Sequence, residues 1–273
     1  MVGQKIGYAG KTGRIQIMTS TNSLSDRQII QENEYEYPYH YIPRWDGVHF
    51  SQTQSLSWGY EYISYLYFIL EKAEKIGFES LLDLGCGDGR FLRELTKKSS
   101  GKQVIGLDYS QRAIDFARIM NPNIEWRCGD ISEENLFDFK FDIITLIETL
   151  EHIEPSAIAN FLQGASHYLK DNGYFLLTVP SKNIKVEDKH YQHFDLDALE
   201  NVLSPFFTIK EANYLNHKTS RPLRLMQRVL YNRFFILNHE ILLQKLYNYY
   251  RNNLLLTDDK NCRRIALVCQ KAT

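Results

Sequence analysis

The stretch Leu81-Leu82-Asp83-Leu84-Gly85-Cys86-Gly87-Asp88-Gly89-Arg90 decides the fold. An apolar run passes into glycines at alternate positions, and a helical pattern follows over Arg90–Lys98. Glycine lets the backbone turn tightly and approach a ligand closely. A simple strand-to-helix turn would use the same residues. The spacing is G-x-G-x-G, not the G-x-G-x-x-G of dinucleotide loops, and the chain has no G-x-x-x-x-G-K-[ST].

Working outward, short apolar runs alternate with helical patterns. Strands are expected at Ser80–Leu84, Gln103–Leu107, Ile124–Cys128, Phe141–Ile147 and Tyr174–Val179, then at Phe206–Tyr214 and Arg264–Gln270. Helices are expected at Gln111–Met120 and Pro155–Leu169, and after Asp195–Leu203 the alternation becomes less regular. Near-continuous apolar strands between helices indicate a parallel sheet covered on both faces. Open sheets of this kind bind ligands at the C-terminal ends of their strands. Asp108 stands there after the second strand, where a carboxylate can accept both hydrogen bonds of a ribose diol. Asp130 stands there after the third, where it can accept from an exocyclic adenine amine while Ile131 packs on the ring.

Residues 79–180 resemble the class I S-adenosylmethionine-dependent methyltransferases of the small-molecule type, with similarity to ubiquinone-pathway O-methyltransferases. The matching motifs are DLGCGDG (83–89), GLDYS (106–110), GDI (129–131) and FDIITLIETLEHI (141–153). The resemblance implies S-adenosyl-L-methionine as cofactor and S-adenosyl-L-homocysteine as product. It implies that Gly85, Cys86 and Gly87 line the methionine moiety, that Asp108 holds the ribose, that Asp130 with Ile131 frames the adenine, and that Ile147 or Glu148 contacts the cofactor near its methionine end. Asp83 and Tyr109 are also expected to bind the cofactor. The expected fold is α/β: a doubly wound, Rossmann-like, seven-stranded, mostly parallel sheet. It carries an aromatic N-terminal extension and a helical insertion near the C-terminus.

Methyl transfer from a sulfonium is an in-line displacement, so the protein must mainly place the acceptor and, for oxygen, remove its proton. Where Asn/Asp-Pro-Pro-Tyr would mark several N-methylating classes, this chain reads Ile147-Glu148-Thr149-Leu150-Glu151-His152. O-methylation of a small molecule is therefore expected, with His152 and His193 as the candidate catalytic residues. His152 could instead only organise its loop. His190 and His193, in Asp188-Lys189-His190-Tyr191-Gln192-His193-Phe194, could serve as a base, a phosphate contact or surface residues. Glu148, Glu151 and His152 with a later histidine also resemble the metal set of small-RNA terminal ribose 2′-O-methyltransferases. Because E-x-[LI]-E-H recurs in relatives without metal, no metal is assigned. RNA ribose methylation and a non-catalytic cofactor-binding protein stay as alternatives.

The chain of 273 residues divides into a polar, poorly ordered leader (1–33), an aromatic arm and helix (34–77) and a methyltransferase domain (78–273) with an insertion at 221–251. In the arm, Tyr35, Tyr37, Tyr39 and Tyr41 alternate, and Trp45, His49 and Trp58 follow. They suit packing onto the core and also a lid over cofactor and acceptor. A net charge of −1 argues against a general nucleic-acid binder, whereas residues 210–264 hold eleven Lys/Arg against four acids, a local +7. Arg221, Arg224 and Arg228 share one helix face there. The face suits a solvated cap or a homodimer contact, a membrane surface, an RNA backbone, or an anionic acceptor such as a sugar phosphate; the last fits the patch size best. No apolar run is long enough to span a bilayer, no signal-like h-region opens the chain, and Cys86, Cys128, Cys262 and Cys269 form no disulfide framework. A cytoplasmic protein is expected.

Overall fold

The alternation read from the sequence is realised as a sheet with helices on both faces. The structure is a computed structural model. It describes residues 25–35, 38–41, 43–45, 50–51, 56–133, 135–218, 221–230 and 237–272. The expectations for residues 1–24, Tyr37, His49 and the side chains of Trp58 and Arg221 lie outside what is described.

The chain opens with α1 (Asp26–Glu34), a 3₁₀ turn (Tyr39–Tyr41), and a small ribbon of β1 (Arg44–Trp45) and β2 (Phe50–Ser51). The long α2 (Leu56–Ile76) follows and ends at Gly77, whose φ of +79° suits glycine. Then come β3 (Ser80–Leu84), α3 (Arg90–Lys98), β4 (Gln103–Asp108), α4 (Gln111–Met120), β5 (Glu125–Cys128) and β6 (Phe141–Ile147). After a 3₁₀ turn at Leu150–His152 the chain forms α5 (Ile158–Tyr168), β7 (Leu169–Pro180), α6 (Leu196–Leu203) and β8 (Phe207–His217). It closes with α7 (Arg221–Leu230), α8 (Glu240–Asn253), β9 (Leu256–Thr257) and β10 (Cys262–Lys271).

The main sheet has the order β5-β4-β3-β6-β7-β10-β8-β9. Strands β5, β4, β3, β6 and β7 are parallel, and β10, β8 and β9 complete the sheet with antiparallel pairings. The expectation of seven strands is corrected to eight among the described residues. The extra one, β9, pairs only Leu256 and Thr257 with β8, too short a run for any sequence period to reveal. Strand order reverses between β3 and β6, which places the ligand crevice above their C-terminal ends.

The two-sided burial follows from alternation along each strand. On β3, Leu81 joins a core with Phe91 and Leu95 of α3, Ile114 of α4 and Leu66 of α2. Leu82 and Leu84 point the other way, into a core with Leu162 of α5 and Leu199 of α6. The aromatic arm supplies the first core with Trp45 and Phe50, which pack on Tyr247 of α8 at ring-centroid distances of 4.8 Å. Residues 26–33, read as leader, are helical and begin at a capping box formed by Ser25 and Gln28.

Candidate functional site

One half of the site is built where β3 and β4 end. Gly85 turns the chain with φ +65°, and its N–H donates to the Leu107 carbonyl at 2.8 Å. A Cβ at this position would run into the side chain of Thr149. Gly87, at φ +55°, donates its N–H to Asp108 Oδ2 at 2.9 Å. Asp108 Oδ1 accepts the Ser110 N–H at 2.9 Å. Each carboxylate oxygen keeps a further lone pair, so Asp108 can still accept from hydroxyl groups. Burial is the chief reason its carboxyl is pushed up to about 6; the two N–H donors oppose the rise and Glu32 adds to it.

Asp83 lies deeper, buried beneath the loop, and accepts from Thr145 Oγ1 at 2.6 Å. Burial pushes it up to about 7. Cys86 is buried, and its thiol is raised well above its ordinary value by that burial. Tyr109 is exposed, and Ile131 is buried. The Gly129 N–H donates to the Asp108 carbonyl at 3.0 Å, which ties the GDI turn to the end of β4. Asp130 is exposed and holds Ser132 through its N–H at 2.9 Å and its hydroxyl at 2.8 Å.

The other half forms where β6, β7 and β10 meet the loop before α6. Glu148 follows β6 with φ +50°, a left-handed conformation unusual for a residue with a side chain. Its N–H donates to the Thr178 carbonyl at 3.0 Å, and its Oε2 accepts from Arg264 Nε at 2.9 Å. Arg264 lies over the Tyr65 ring, 4.4 Å from its centroid, and Glu61 of α2 stands 3.8 Å from its Nη1. Glu151 is buried, and its carboxyl is held well above the usual range by desolvation and then by Glu148. His152 is held down to about 4, and His190 to about 2, each mainly by burial. Both imidazoles are therefore neutral at ordinary pH.

The hydrogen-bond chain fixes one tautomer. His193 Nδ1 faces the Ile184 carbonyl at 3.2 Å, and a carbonyl only accepts, so this nitrogen carries the hydrogen. His193 Nε2 then accepts from His190 Nδ1 at 2.8 Å, and His190 Nε2 is left with a free lone pair. His193 is the other candidate catalytic group. It is buried with both ring nitrogens engaged inside its loop, and it orients His190. His190 instead joins Glu151 and His152, and one ligand atom from each lies within 4.8 Å of the others. Among the shielded atoms here with no hydrogen-bond partner are Glu148 Oε1, Glu151 Oε2, His152 Nδ1, Thr178 Oγ1 and Arg264 Nη1. Burying such groups without partners is unfavourable, and two of them, on Glu151 and His152, belong to the cluster with His190.

The basic insertion stands apart from these groups in character. Arg224 and Arg228 of α7 are exposed, beside exposed Leu225 and Val229, while Leu223 and Leu230 anchor the helix in the core. Residues that the sequence reading passed over are Glu32, Glu61, Tyr65 and Arg264. The last three lie on an ordinary-looking helix and strand, and only the fold joins them to Glu148.

The methyltransferase-domain family matches residues 58–219. A ubiquinone biosynthesis O-methyltransferase of Alkalilimnicola ehrlichii is 29% identical over 110 residues, covering 38% of this chain and 43% of that protein. Its counterpart in Vibrio cholerae is 25% identical over 172 residues, covering 60% of this chain and 64% of that protein. The chain thus spans less than two thirds of the length of these relatives. Among solved structures, the N-methyltransferase NodS of Bradyrhizobium japonicum, in complex with S-adenosyl-L-homocysteine, superposes with a TM-score of 0.53 at 14% identity. That superposition covers 77% of this chain and 86% of NodS, and it shows the shared fold.

Proposed function

The chain belongs to the class I S-adenosylmethionine-dependent methyltransferase family, whose domain it matches over residues 58–219, and from that premise we propose that it methylates a hydroxyl oxygen of a small-molecule acceptor. The observation that carries the proposal is the convergence of Glu151, His152 and His190 beside Glu148, on the far side of β6 from the glycine loop. A neutral amine can attack a sulfonium before it loses a proton. A hydroxyl must lose its proton as it attacks, and a neutral imidazole with a free ring nitrogen is the group to receive it. His152 has that nitrogen, Nδ1. His190, oriented by His193, presents its Nε2 lone pair beside it.

In this reading the cofactor's ribose sits on Asp108, its adenine lies against Ile131 and Asp130, and its methionine end runs over Gly85–Gly87 above Asp83. Ile147 and Glu148 border the reacting methyl group. The aromatic arm over Gly87 keeps water from the transfer. Arg224 and Arg228 serve an anionic group on the acceptor, such as a phosphate. The names of the ubiquinone-pathway relatives support oxygen as the target.

A second reading has its own observation. A buried Glu151 and two neutral imidazoles, with unpartnered atoms on Glu151 and His152, fit a divalent ion of the manganese or zinc kind. Glu151, His152 and His190 would hold it, with Glu148 at hand, and the ion would supply positive charge to a hydroxyl pair such as a catechol or ribose diol. The test follows S-adenosyl-L-homocysteine release across catechols, sugar phosphates and a short RNA 3′ end, with and without EDTA. Turnover on a small hydroxyl acceptor that survives EDTA supports the first reading, and loss restored by Mn²⁺ supports the second. Turnover on amines alone overturns both.

A further inference from the structure

Helix α1 reaches across both halves of the site. At its start, Arg27 donates to the carbonyls of Asp188, at 3.1 Å, and His190, and its guanidinium lies 4.9 Å from the Tyr191 ring centroid. Ser25 Oγ is 3.0 Å from Tyr191 Oη. The Tyr191 N–H in turn donates to the Glu151 carbonyl at 2.8 Å. At the other end, Arg112 of α4 donates to the Glu32 carbonyl at 3.1 Å. The buried Tyr35 brings its hydroxyl to 2.9 Å from where a Cβ on Gly87 would stand. The helix is pinned to the histidine loop and to the glycine loop, with its last turns beside the end of β4.

Those last turns carry two shielded acceptors, Gln31 Oε1 and Glu32 Oε1, and neither has a hydrogen-bond partner. Glu32 stands close enough to Asp108 to reinforce the upward shift that burial gives it. Two carboxylates facing one another repel unless donors stand between them. Asp108 already accepts one N–H on each oxygen. A diol has two hydroxyl donors and can meet acceptors from two sides.

We infer that α1 is a wall of the cofactor site, in which Glu32, assisted by Gln31, accepts hydrogen bonds from the ribose hydroxyls that Asp108 meets from the sheet side. Arg27 and Ser25 are positioning residues that seat the helix. The inference rests on the placement of the ribose at Asp108. It makes the N-terminal segment part of cofactor recognition and ties cofactor binding to the loop that carries His190.

The test is calorimetric titration of the full chain with S-adenosyl-L-homocysteine, for the wild type, Glu32→Ala, Gln31→Ala and Asp108→Ala. Glu32→Ala is expected to weaken binding about tenfold, the scale of a hydrogen bond to a charged group. An analogue lacking one ribose hydroxyl should narrow the gap between wild type and Glu32→Ala. Amide hydrogen exchange in the wild type, which needs no variant to fold, should slow across residues 26–35 when the ligand is added. Unchanged affinity in Glu32→Ala beside a clear loss in Asp108→Ala overturns the inference, and so does exchange in 26–35 that ignores the ligand. Unchanged affinity in Asp108→Ala overturns the ribose placement itself.

Discussion

The two halves of the site differ in how their polar groups are satisfied. Around the glycine loop, Asp108 and Asp83 have partners within the chain, from Gly87, Ser110 and Thr145. Around Glu148, Glu151 and His152, shielded atoms have none. The sheet side of the first half is preorganised by its own backbone, while Gln31 and Glu32 of α1 bring shielded acceptors without partners to its other side. The second holds neutral imidazoles and a carboxyl raised by burial, and a ligand or an ion would complete its hydrogen bonding and charge. In the proposed reading, a cofactor cradle beside a chemically demanding acceptor side suits an enzyme that binds one constant partner and acts on another.

The largest effect that could break the comparison is expected at Gly85. Gly85→Val puts a branched side chain at φ +65° and against Thr149. Strain of about 3 kcal/mol or more corresponds to a loss of at least about 100-fold in cofactor affinity. Calorimetry checks this, and near-normal binding would mean the loop is not the cradle. Next, Arg264→Met removes the partner of Glu148 Oε2 and leaves a half-buried carboxylate alone. Unfolding in urea should show a loss of about 3 kcal/mol, and Arg264→Lys should recover part of it. His152→Ala should lower turnover about 10²-fold while cofactor affinity stays near the wild-type value. A parallel loss of affinity would erase the division between the halves.

How much of this was legible in the sequence depends on the range of the interactions. The β3–loop–α3 unit is local: apolar strand, glycine spacing and the Arg90–Lys98 pattern all lie within one window, and the structure places each as expected. Asp108 and Asp130 follow from their positions at strand ends. The hidden parts depend on contacts between distant residues. His193 looked as reactive as His190, and only the 3.2 Å contact with Ile184 shows that it is fully engaged. Arg264 meets Glu148 across 116 positions of sequence. Helix α1, DRQIIQENE, lacks an apolar stripe, and its hold comes from Arg27 on the loop at 188–191. A signal was present all the same, because Ser25 and Gln28 spell a capping box.

A further effect sharpens the cradle side. The carboxyls of Asp83 and Asp108 are pushed up to about 7 and about 6, mainly by burial. The cofactor donates hydrogen bonds and carries an ammonium group, so it binds the ionised carboxylates, and the bound state holds fewer protons. Affinity should therefore rise up to about a hundredfold as pH climbs from 5.5 towards 7.5 and level off above that. The ligand-free fold has the opposite sign. Its raised Asp83 binds protons more tightly than the unfolded chain, so stability falls as pH rises from about 4 to about 7. The smallest effect concerns α7. Replacing both Arg224 and Arg228 by alanine should raise KM for an anionic acceptor by about tenfold or less and leave a neutral acceptor unaffected, because both side chains are exposed.

The most direct test of the account is calorimetric titration of the full chain with S-adenosyl-L-homocysteine and, separately, with NAD. The G-x-G-x-G loop with Asp108 and Asp130 predicts saturable binding of the first, weakened in Asp108→Ala, and no binding of the second. An absence of heat with S-adenosyl-L-homocysteine in the wild-type chain, or binding of NAD in its place, would contradict it.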